Sequence, residues 1–141
     1  MEKRYKSGAH TIHRIMFHIV FRPKYRKRVL RYKLASRTKE LFKQCCEVND
    51  WVIRELKVLP DHVHLLIQVN PKDLISDVMQ LLKGGSSKVI REEFPELEEF
   101  LWGDNFWSEG YFVESIGKVA EEAVRKYISE QNKQARRDHG L

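Results

Sequence analysis

The sequence predicts an α+β fold in a single domain, built on one antiparallel sheet. Apolar residues alternate along four segments and recur at helical spacing along three others, in the order β-α-β-β-α-β-α. The chain has 141 residues, of which 42% are hydrophobic and 33% are charged. This is enough apolar material for one core, and it excludes a disordered, collagen-like or multidomain chain.

Strands are predicted where β-branched and aromatic residues alternate with polar ones, and helices where apolar residues recur at helical spacing. In chain order we predict a strand over 12–21, a helix over 29–48, strands over 51–59 and 62–69, a helix over 72–93, a strand over 106–115 and a final helix over 118–135. Pro23 ends the first strand, Pro60-Asp61 forms a hairpin turn, and Gly84-Gly85 should break or bend the second helix. Residues 1–9 are expected to form a flexible basic arm.

Without the final helix, this order is that of the ferredoxin-like (RRM-like) arrangement, a four-stranded antiparallel sheet with helices packed on it. In that arrangement the first and third strands are neighbours at the centre of the sheet. The first strand has one apolar face and one mixed face that carries His18. We therefore expect His18 to meet the face of the third strand that carries His62 and His64.

The charge is uneven along the chain. Lys plus Arg number 26 and Asp plus Glu number 20, a net charge of +6, and residues 1–43 hold 14 basic residues against 2 acidic ones. Such a segment favours a polyanion partner, usually nucleic acid, and a solubilising surface is the alternative.

The expected location is cytoplasmic, without membrane contact. The adjacent Cys45 and Cys46 make no disulfide framework, which favours a reducing compartment. No segment is apolar over the ~20 residues that span a bilayer, and the N-terminus lacks the apolar stretch of a signal peptide.

The sharpest local motif is His62-Val63-His64 in the third predicted strand. Residues two apart on a strand leave the same face, so both imidazoles can bind one cation while Val63 enters the core. Asp61 could accept an imidazole N–H behind them. The alternative is a pair of polar residues on a solvated strand face.

The second motif is Tyr127 with Gln131, four residues apart and hence on one face of the final helix. A phenol with a pKa of ~10 is a weak nucleophile unless a nearby cation polarises its target. The Gln131 amide oxygen suits a hard cation, and the neighbouring Glu130 points ~100° away. Alternatively, Tyr127 is a core or interface residue.

Other stretches occur in the same order along the chain: His18-Ile-Val-Phe-Arg-Pro-Lys-Tyr-Arg-Lys-Arg-Val-Leu, Pro60-Asp-His-Val-His-Leu-Leu, Leu81-Leu-Lys-Gly-Gly-Ser-Ser, Leu101-Trp-Gly and Gly110-Tyr-Phe-Val. Together with a His-x-His strand followed by a tyrosine on a later helix, they resemble the single-tyrosine HUH transposases, the TnpA family of small insertion sequences. The resemblance runs over residues 12–132, nearly the whole chain.

This resemblance implies a DNA transposase that binds hairpins at element ends. It implies that single-stranded DNA is cut and rejoined by transesterification, with Mg²⁺ or Mn²⁺ and without ATP, through a 5′-phosphotyrosine intermediate. By the same resemblance Tyr127 is the nucleophile, and His62, His64 and Gln131 ligate the metal. It further implies a homodimer with composite active sites, in which the tyrosine helix docks on the histidine pair of the other subunit and Gly117 is a hinge.

Candidate DNA contacts cluster around the first strand and the basic loop after it: Arg14, His18, Arg22, Lys24, Arg26 and Arg28. A solvated basic surface is the alternative for each of them. Two other functions remain open. One is a non-catalytic ferredoxin-like module that binds nucleic acid, and the other is a domesticated, repeat-associated relative of the transposases.

Overall fold

The computed structural model of the protein describes residues 5–7 and 12–139, with side chains as far as Gln131. The described residues form strands β1 (Lys6–Ser7), β2 (Ile12–His13), β3 (Ile15–Phe21), β4 (Val52–Leu59), β5 (His62–Val69) and β6 (Phe112–Ser115), and helices α1 (Tyr32–Val48), α2 (Ile75–Glu93), α3 (Glu98–Leu101) and α4 (Glu121–His139). Short 3-10 turns occupy Lys24–Arg26 and Pro95–Leu97. The predicted α+β class is confirmed.

The main sheet has four antiparallel strands in the order β4-β5-β3-β6, so β3 and β5 lie at its centre. β3 pairs with β5 along its whole length, from Ile15 opposite Val69 to Phe21 opposite Val63. β4 and β5 form the predicted hairpin. This confirms the ferredoxin-like arrangement and the central position of the two histidine-bearing strands.

The main core lies between one face of this sheet and helices α1 and α2. Alternation along the two central strands sends one set of side chains into it, and the helices supply apolar residues at helical spacing. Its fully buried members include Ile19, Val63, Leu65, Ile67, Val69, Phe42, Val78 and Ile90. Phe21, Phe42 and Trp107 form an aromatic cluster within it, with the Phe21 and Trp107 ring centroids 4.8 Å apart.

All three predicted helices begin later than the sequence predicts, and α2 begins at Ile75 and not at residue 72. α1 begins at Tyr32 and not at residue 29, because Leu30 is buried and its N–H donates to the Pro60 carbonyl at 3.0 Å. That bond holds the preceding segment in an extended form against the β4–β5 turn. α4 begins at Glu121 and not at 118, after a turn in which the Ala120 N–H donates to the Gly117 carbonyl.

Strand β6 is much shorter than the predicted 106–115. Phe106 and Trp107 turn into the core. The strand pairing of this segment with the chain after β3 is a single isolated β-bridge between Trp107 and Pro23. Gly110 has a φ of +79°, a left-handed conformation that an extended strand cannot contain. Regular pairing therefore starts only at Phe112.

Helix α2 runs without a break through Gly84-Gly85, contrary to the prediction. The buried Leu82 and Ser86 on either side fix both halves of the helix to the same core. Within the predicted arm, Lys6–Ser7 pair with Ile12–His13 as a small second sheet. Residues 1–4 and 8–9 of that arm lie outside the described residues.

Helix α4 lies on the opposite face of the sheet, where its apolar contacts are few. A small cluster joins it to the central strands and to the segment before it: Met16, Leu66, Ile116, Val124 and Ile128. Across the described part of the chain, the helices lack the combination of length and hydropathy that a membrane span needs.

A buried ion pair complements this small cluster. The Arg14 guanidinium contacts the carboxylate of Glu121 in the first turn of α4, and the two side chains are only 5% and 9% exposed. A carboxylate is also favourable at a helix N-terminus. In this conformation the helix covers the Arg14 guanidinium, and a contact of Arg14 with DNA stays a prediction.

Replacing Arg14 by Ala should therefore lower the free energy of unfolding by about 3 kcal/mol, since it leaves a buried carboxylate without its main partner. We place the loss at the low end of the usual range because Arg125 stays 3.9 Å from Glu121. The double variant Arg14→Met/Glu121→Leu should recover most of the loss in urea denaturation. As a control, Arg37→Ala in the exposed Arg37–Glu93 pair should lower the free energy of unfolding much less than Arg14→Ala does. Equal losses for Arg14→Ala and Arg37→Ala would contradict this account.

Candidate active site

An open cleft of about 580 Å³ lies between the central strands, β6 and helix α4. It brings together the chemically active residues that the sequence singles out. The residues that line it are His18, Val20, Arg22, His62, His64, Phe112, Glu114, Tyr127 and Gln131.

The two histidines of β5 leave the same face of the strand, with ring centroids 5.0 Å apart. Val63 between them is fully buried in the main core, as predicted. The Nδ1 of His62 lies 2.7 Å from Asp61 Oδ1, and the Nδ1 of His64 lies 3.1 Å from His18 Nε2. Both Nδ1 atoms thus have protein partners, which leaves each Nε2 as the nitrogen available to a ligand.

His18 lies behind His64. Their ring planes differ by 15° with centroids 5.4 Å apart, and the Nδ1 of His18 lies 3.3 Å from Glu114 Oε1. His18 is itself buried, so its contacts are with protein groups. The sequence reasoning missed Glu114, which pairs with His18 across β3 and β6. Alternation along β6 could have placed it on this face, but not beside His18.

Tyr127 and Gln131 reach the cleft from α4, as their spacing predicts. The Tyr127 ring centroid lies 5.9 Å from that of His64 and 6.4 Å from that of His18. The tyrosine is half-exposed, which argues against a purely structural role in a core. The helix docks on the sheet of its own chain, whereas the resemblance implies docking on the other subunit. The Arg14–Glu121 pair and the apolar cluster account for this placement.

The electrostatics favour a neutral His64 and an ionised Asp61. Burial, followed by the charges of His62, His18 and Arg22, lowers the pKa of His64 to about 4. Burial acts to raise the pKa of Asp61, but the hydrogen bond and charge of His62, together with Arg28 and Arg26, lower it overall. The imidazole therefore keeps a lone pair for a cation at neutral pH.

The remaining basic candidates lie at the mouth of the cleft or beside it. Arg22 is exposed and lines the cleft. Arg26 and Arg28 are exposed as well and act on Asp61 electrostatically. Lys24 is partly buried and paired with Asp104 at 3.2 Å. The cleft thus has a positive rim, which suits an anionic substrate.

A divalent cation fits the donor set, although the set is unusual. In the part of the chain with described side chains, no three His, Cys, Asp or Glu residues form a metal-binding group. The available donors are two imidazole nitrogens and the amide oxygen of Gln131, none of which brings a negative charge. Imidazole and amide oxygen are both accepted ligands of divalent ions.

Gly117, the predicted hinge, lies in the short connection between β6 and α4. A Cβ built on it would meet nothing within 4 Å, and its φ is outside the left-handed region. The conformation seen here therefore does not require glycine at this position. Its role as a hinge stays a prediction.

Comparison with known proteins places this site in a family. The sequence profile of the family described as "Transposase IS200 like" matches residues 11–131. The ISDra2 transposase TnpA of Deinococcus radiodurans is 31% identical over 127 residues, covering 90% of this chain and 91% of that protein. The transposase for insertion sequence element IS200 of Salmonella typhimurium is 34% identical over 126 residues, covering 89% of this chain and 82% of that protein.

Two solved structures share the fold. A crystal structure assigned to a transposase of Deinococcus radiodurans R1 has a TM-score of 0.73 at 30% identity, covering 89% of this chain and 97% of that one. A REP-associated tyrosine transposase, solved with a bound REP hairpin, has a TM-score of 0.66 at 13% identity, covering 95% and 72%. At that identity the second likeness concerns the fold alone.

The depressed pKa of His64 predicts how stability depends on pH in the metal-free protein. The unfolded chain takes up the His64 proton near pH 6.5, whereas the folded chain does so only near pH 4. The free energy of unfolding should therefore fall as the pH drops through this window. In urea denaturation, His64→Asn should lose less stability than the unmodified chain between about pH 6.5 and 4. Parallel losses in the two proteins would contradict the assignment.

Proposed function

Because the chain belongs to the IS200-like transposase family, we propose that it cuts and rejoins single-stranded DNA with Tyr127 as the nucleophile. The observation that carries the proposal is the convergence of the Tyr127 ring and the His62–His64 pair in one cleft. A module that only binds nucleic acid can use an exposed tyrosine to stack a base, but it has no need of two imidazoles beside that tyrosine.

We assign the metal site to His62 and His64 through their Nε2 atoms and to the amide oxygen of Gln131. When bound there, Mg²⁺ or Mn²⁺ would polarise the scissile phosphodiester as a Lewis acid. These three donors would hold it beside Tyr127, since all four side chains line the same cleft.

Tyr127 attacks the phosphorus through its phenol oxygen. The phenol gives up its proton, the bond from phosphorus to the 3′ oxygen breaks, and that oxygen leaves as a 3′-hydroxyl after taking a proton. The product is a 5′-phosphotyrosine bond that stores the energy of the broken linkage. A different 3′-hydroxyl can then attack the phosphorus and release Tyr127, so rejoining needs no ATP.

The DNA would approach across the positive rim. Arg22 lines the cleft, and Arg26 and Arg28 lie close enough to Asp61 to lower its pKa, so all three can contact phosphates near the site. His18 lies behind His64 and Lys24 is held by Asp104, so we assign them smaller roles in DNA binding. A hairpin as the recognised end follows from the family resemblance.

A homodimer with composite sites is part of the proposal. The apolar contact of α4 with its own sheet is small, and Gly117 precedes it. Moving the helix to a second subunit would re-form the same contacts, the Arg14–Glu121 pair included, on the other sheet. The alternative of a repeat-associated relative has less support, since the relatives above 30% identity are insertion-sequence transposases.

Tyr127→Phe should abolish the covalent protein–DNA adduct while hairpin binding stays unchanged, because only the attacking oxygen is removed. The adduct is measured with end-derived single strands and Mg²⁺ on a denaturing gel. Tyr111→Phe is the matched control, since Tyr111 is also exposed but does not line the cleft. Cleavage by the Tyr127→Phe variant would sink the assignment of the nucleophile.

Gln131→Ala should weaken Mn²⁺ binding by about tenfold or more, since the cleft would lose its oxygen donor. Glu130→Ala is the control, because Glu130 is exposed and does not line the cleft. Titration followed by the Mn²⁺ electron paramagnetic resonance signal gives both affinities. If Glu130→Ala weakens binding and Gln131→Ala does not, the ligand is Glu130.

A further inference from the structure

A chain of two hydrogen bonds connects β6 to β5 through β3. The Glu114 carboxylate lies 3.3 Å from His18 Nδ1, and His18 Nε2 lies 3.1 Å from His64 Nδ1. The two imidazole planes differ by only 15°. His18 and His64 are both about 5% exposed, so water cannot easily replace either partner of the inner bond.

Imidazole is mostly neutral at pH 7, and with both rings neutral the donors and acceptors of these two hydrogen bonds fit in one order only. An ionised carboxylate only accepts, so His18 Nδ1 must carry a proton and donate it to Glu114. The Nε2 of a neutral His18 then has a lone pair and must accept. His64 Nδ1 therefore carries the proton of the inner bond, which leaves the lone pair of His64 on Nε2.

We propose that Glu114 and His18 are positioning residues that fix the tautomer of His64, so that its Nε2 presents a lone pair to the cleft. Asp61 acts in the same way on the other side, because its carboxylate accepts from His62 Nδ1 at 2.7 Å. A carboxylate thus orients each imidazole, directly for His62 and through His18 for His64. The benefit to metal binding rests on the proposed function, but the tautomer itself does not.

This order opposes the intrinsic preference of a free imidazole, which protonates Nε2 more readily than Nδ1. A cation can bind His64 Nε2 only if the proton is elsewhere, so a fixed Nδ1–H removes a rearrangement before binding. Partners of this kind behind a ligating histidine typically change metal affinity by 10–100-fold. The carboxylate of Glu114 is half-exposed, so its effect should be smaller than that of His18.

The direct test is the position of the protons in the metal-free full-length chain at neutral pH. Long-range ¹H–¹⁵N correlation spectra distinguish the two tautomers of each histidine. We expect both His62 and His64 to carry the proton on Nδ1. A proton on Nε2 of His64 overturns the proposal, whatever the protein does to DNA.

Variants test the consequence for metal. His18→Leu should bind Mn²⁺ about 10–100-fold more weakly and shift His64 toward the Nε2–H form. His18→Gln should stay within about threefold of the unmodified chain, since its amide oxygen can accept from His64 Nδ1. Glu114→Gln should lose less Mn²⁺ affinity than His18→Leu. Glu109→Gln should lose none, because the Glu109 carboxylate takes no part in these hydrogen bonds.

These outcomes distinguish the positioning role of His18 and Glu114 from the proposed cleavage of DNA by Tyr127. Equal Mn²⁺ affinity in His18→Leu and the unmodified chain would overturn the positioning role. If His18→Leu does not fold, the tautomer of His64 in the unmodified chain still decides the question. Failure of Tyr127 as the nucleophile would instead appear in the adduct assay, with the tautomers unchanged.

Discussion

The pairing of β3 with β5 at the centre of the sheet is the constraint on which the site depends. Because successive side chains on a strand alternate between faces, one register decides which residues enter the main core and which face α4. In this register Val63, Leu65 and Ile67 are fully buried against α1 and α2. A slip by one residue would bring His62 and His64 into that core, where unpaired polar groups are costly, and would move those three side chains to the face that α4 covers. The core thus holds the histidines in place.

The face covered by α4 has a different composition, and its polar residues are paired with one another. Arg14 contacts Glu121, Arg54 donates from Nε to Gln68 at 3.1 Å, and His18 contacts His64. Buried polar groups are costly without partners, so these pairs are what allow a helix to cover this face. A polar interface with a small apolar centre is typical of contacts that form and separate. Tyr127, the proposed nucleophile, lies on the helix that this interface holds against the sheet.

The sequence predicts the side chains of the site better than the contacts behind them. Residues two apart on a strand or four apart on a helix share a face, so spacing alone places His62 with His64 and Tyr127 with Gln131. Glu114 escapes prediction because its role depends on which residue of β3 it opposes, and sequence patterns do not specify a register between distant strands. The Arg14–Glu121 pair escapes prediction for the same reason, since the two residues are 107 positions apart.

The distribution of charge around the cleft follows from the chemistry proposed for it. None of the three candidate ligands brings a negative charge. The nearby carboxylates of Asp61 and Glu114 contact His62 and His18 instead. A cation held by neutral donors keeps its full charge, whereas carboxylate ligands would neutralise much of it. The positive rim of Arg22, Arg26 and Arg28 adds its positive charge to that of the cation. A substrate whose reacting group is a phosphodiester gains from both, so carboxylates that orient the histidines without ligating the metal suit a site for DNA cleavage.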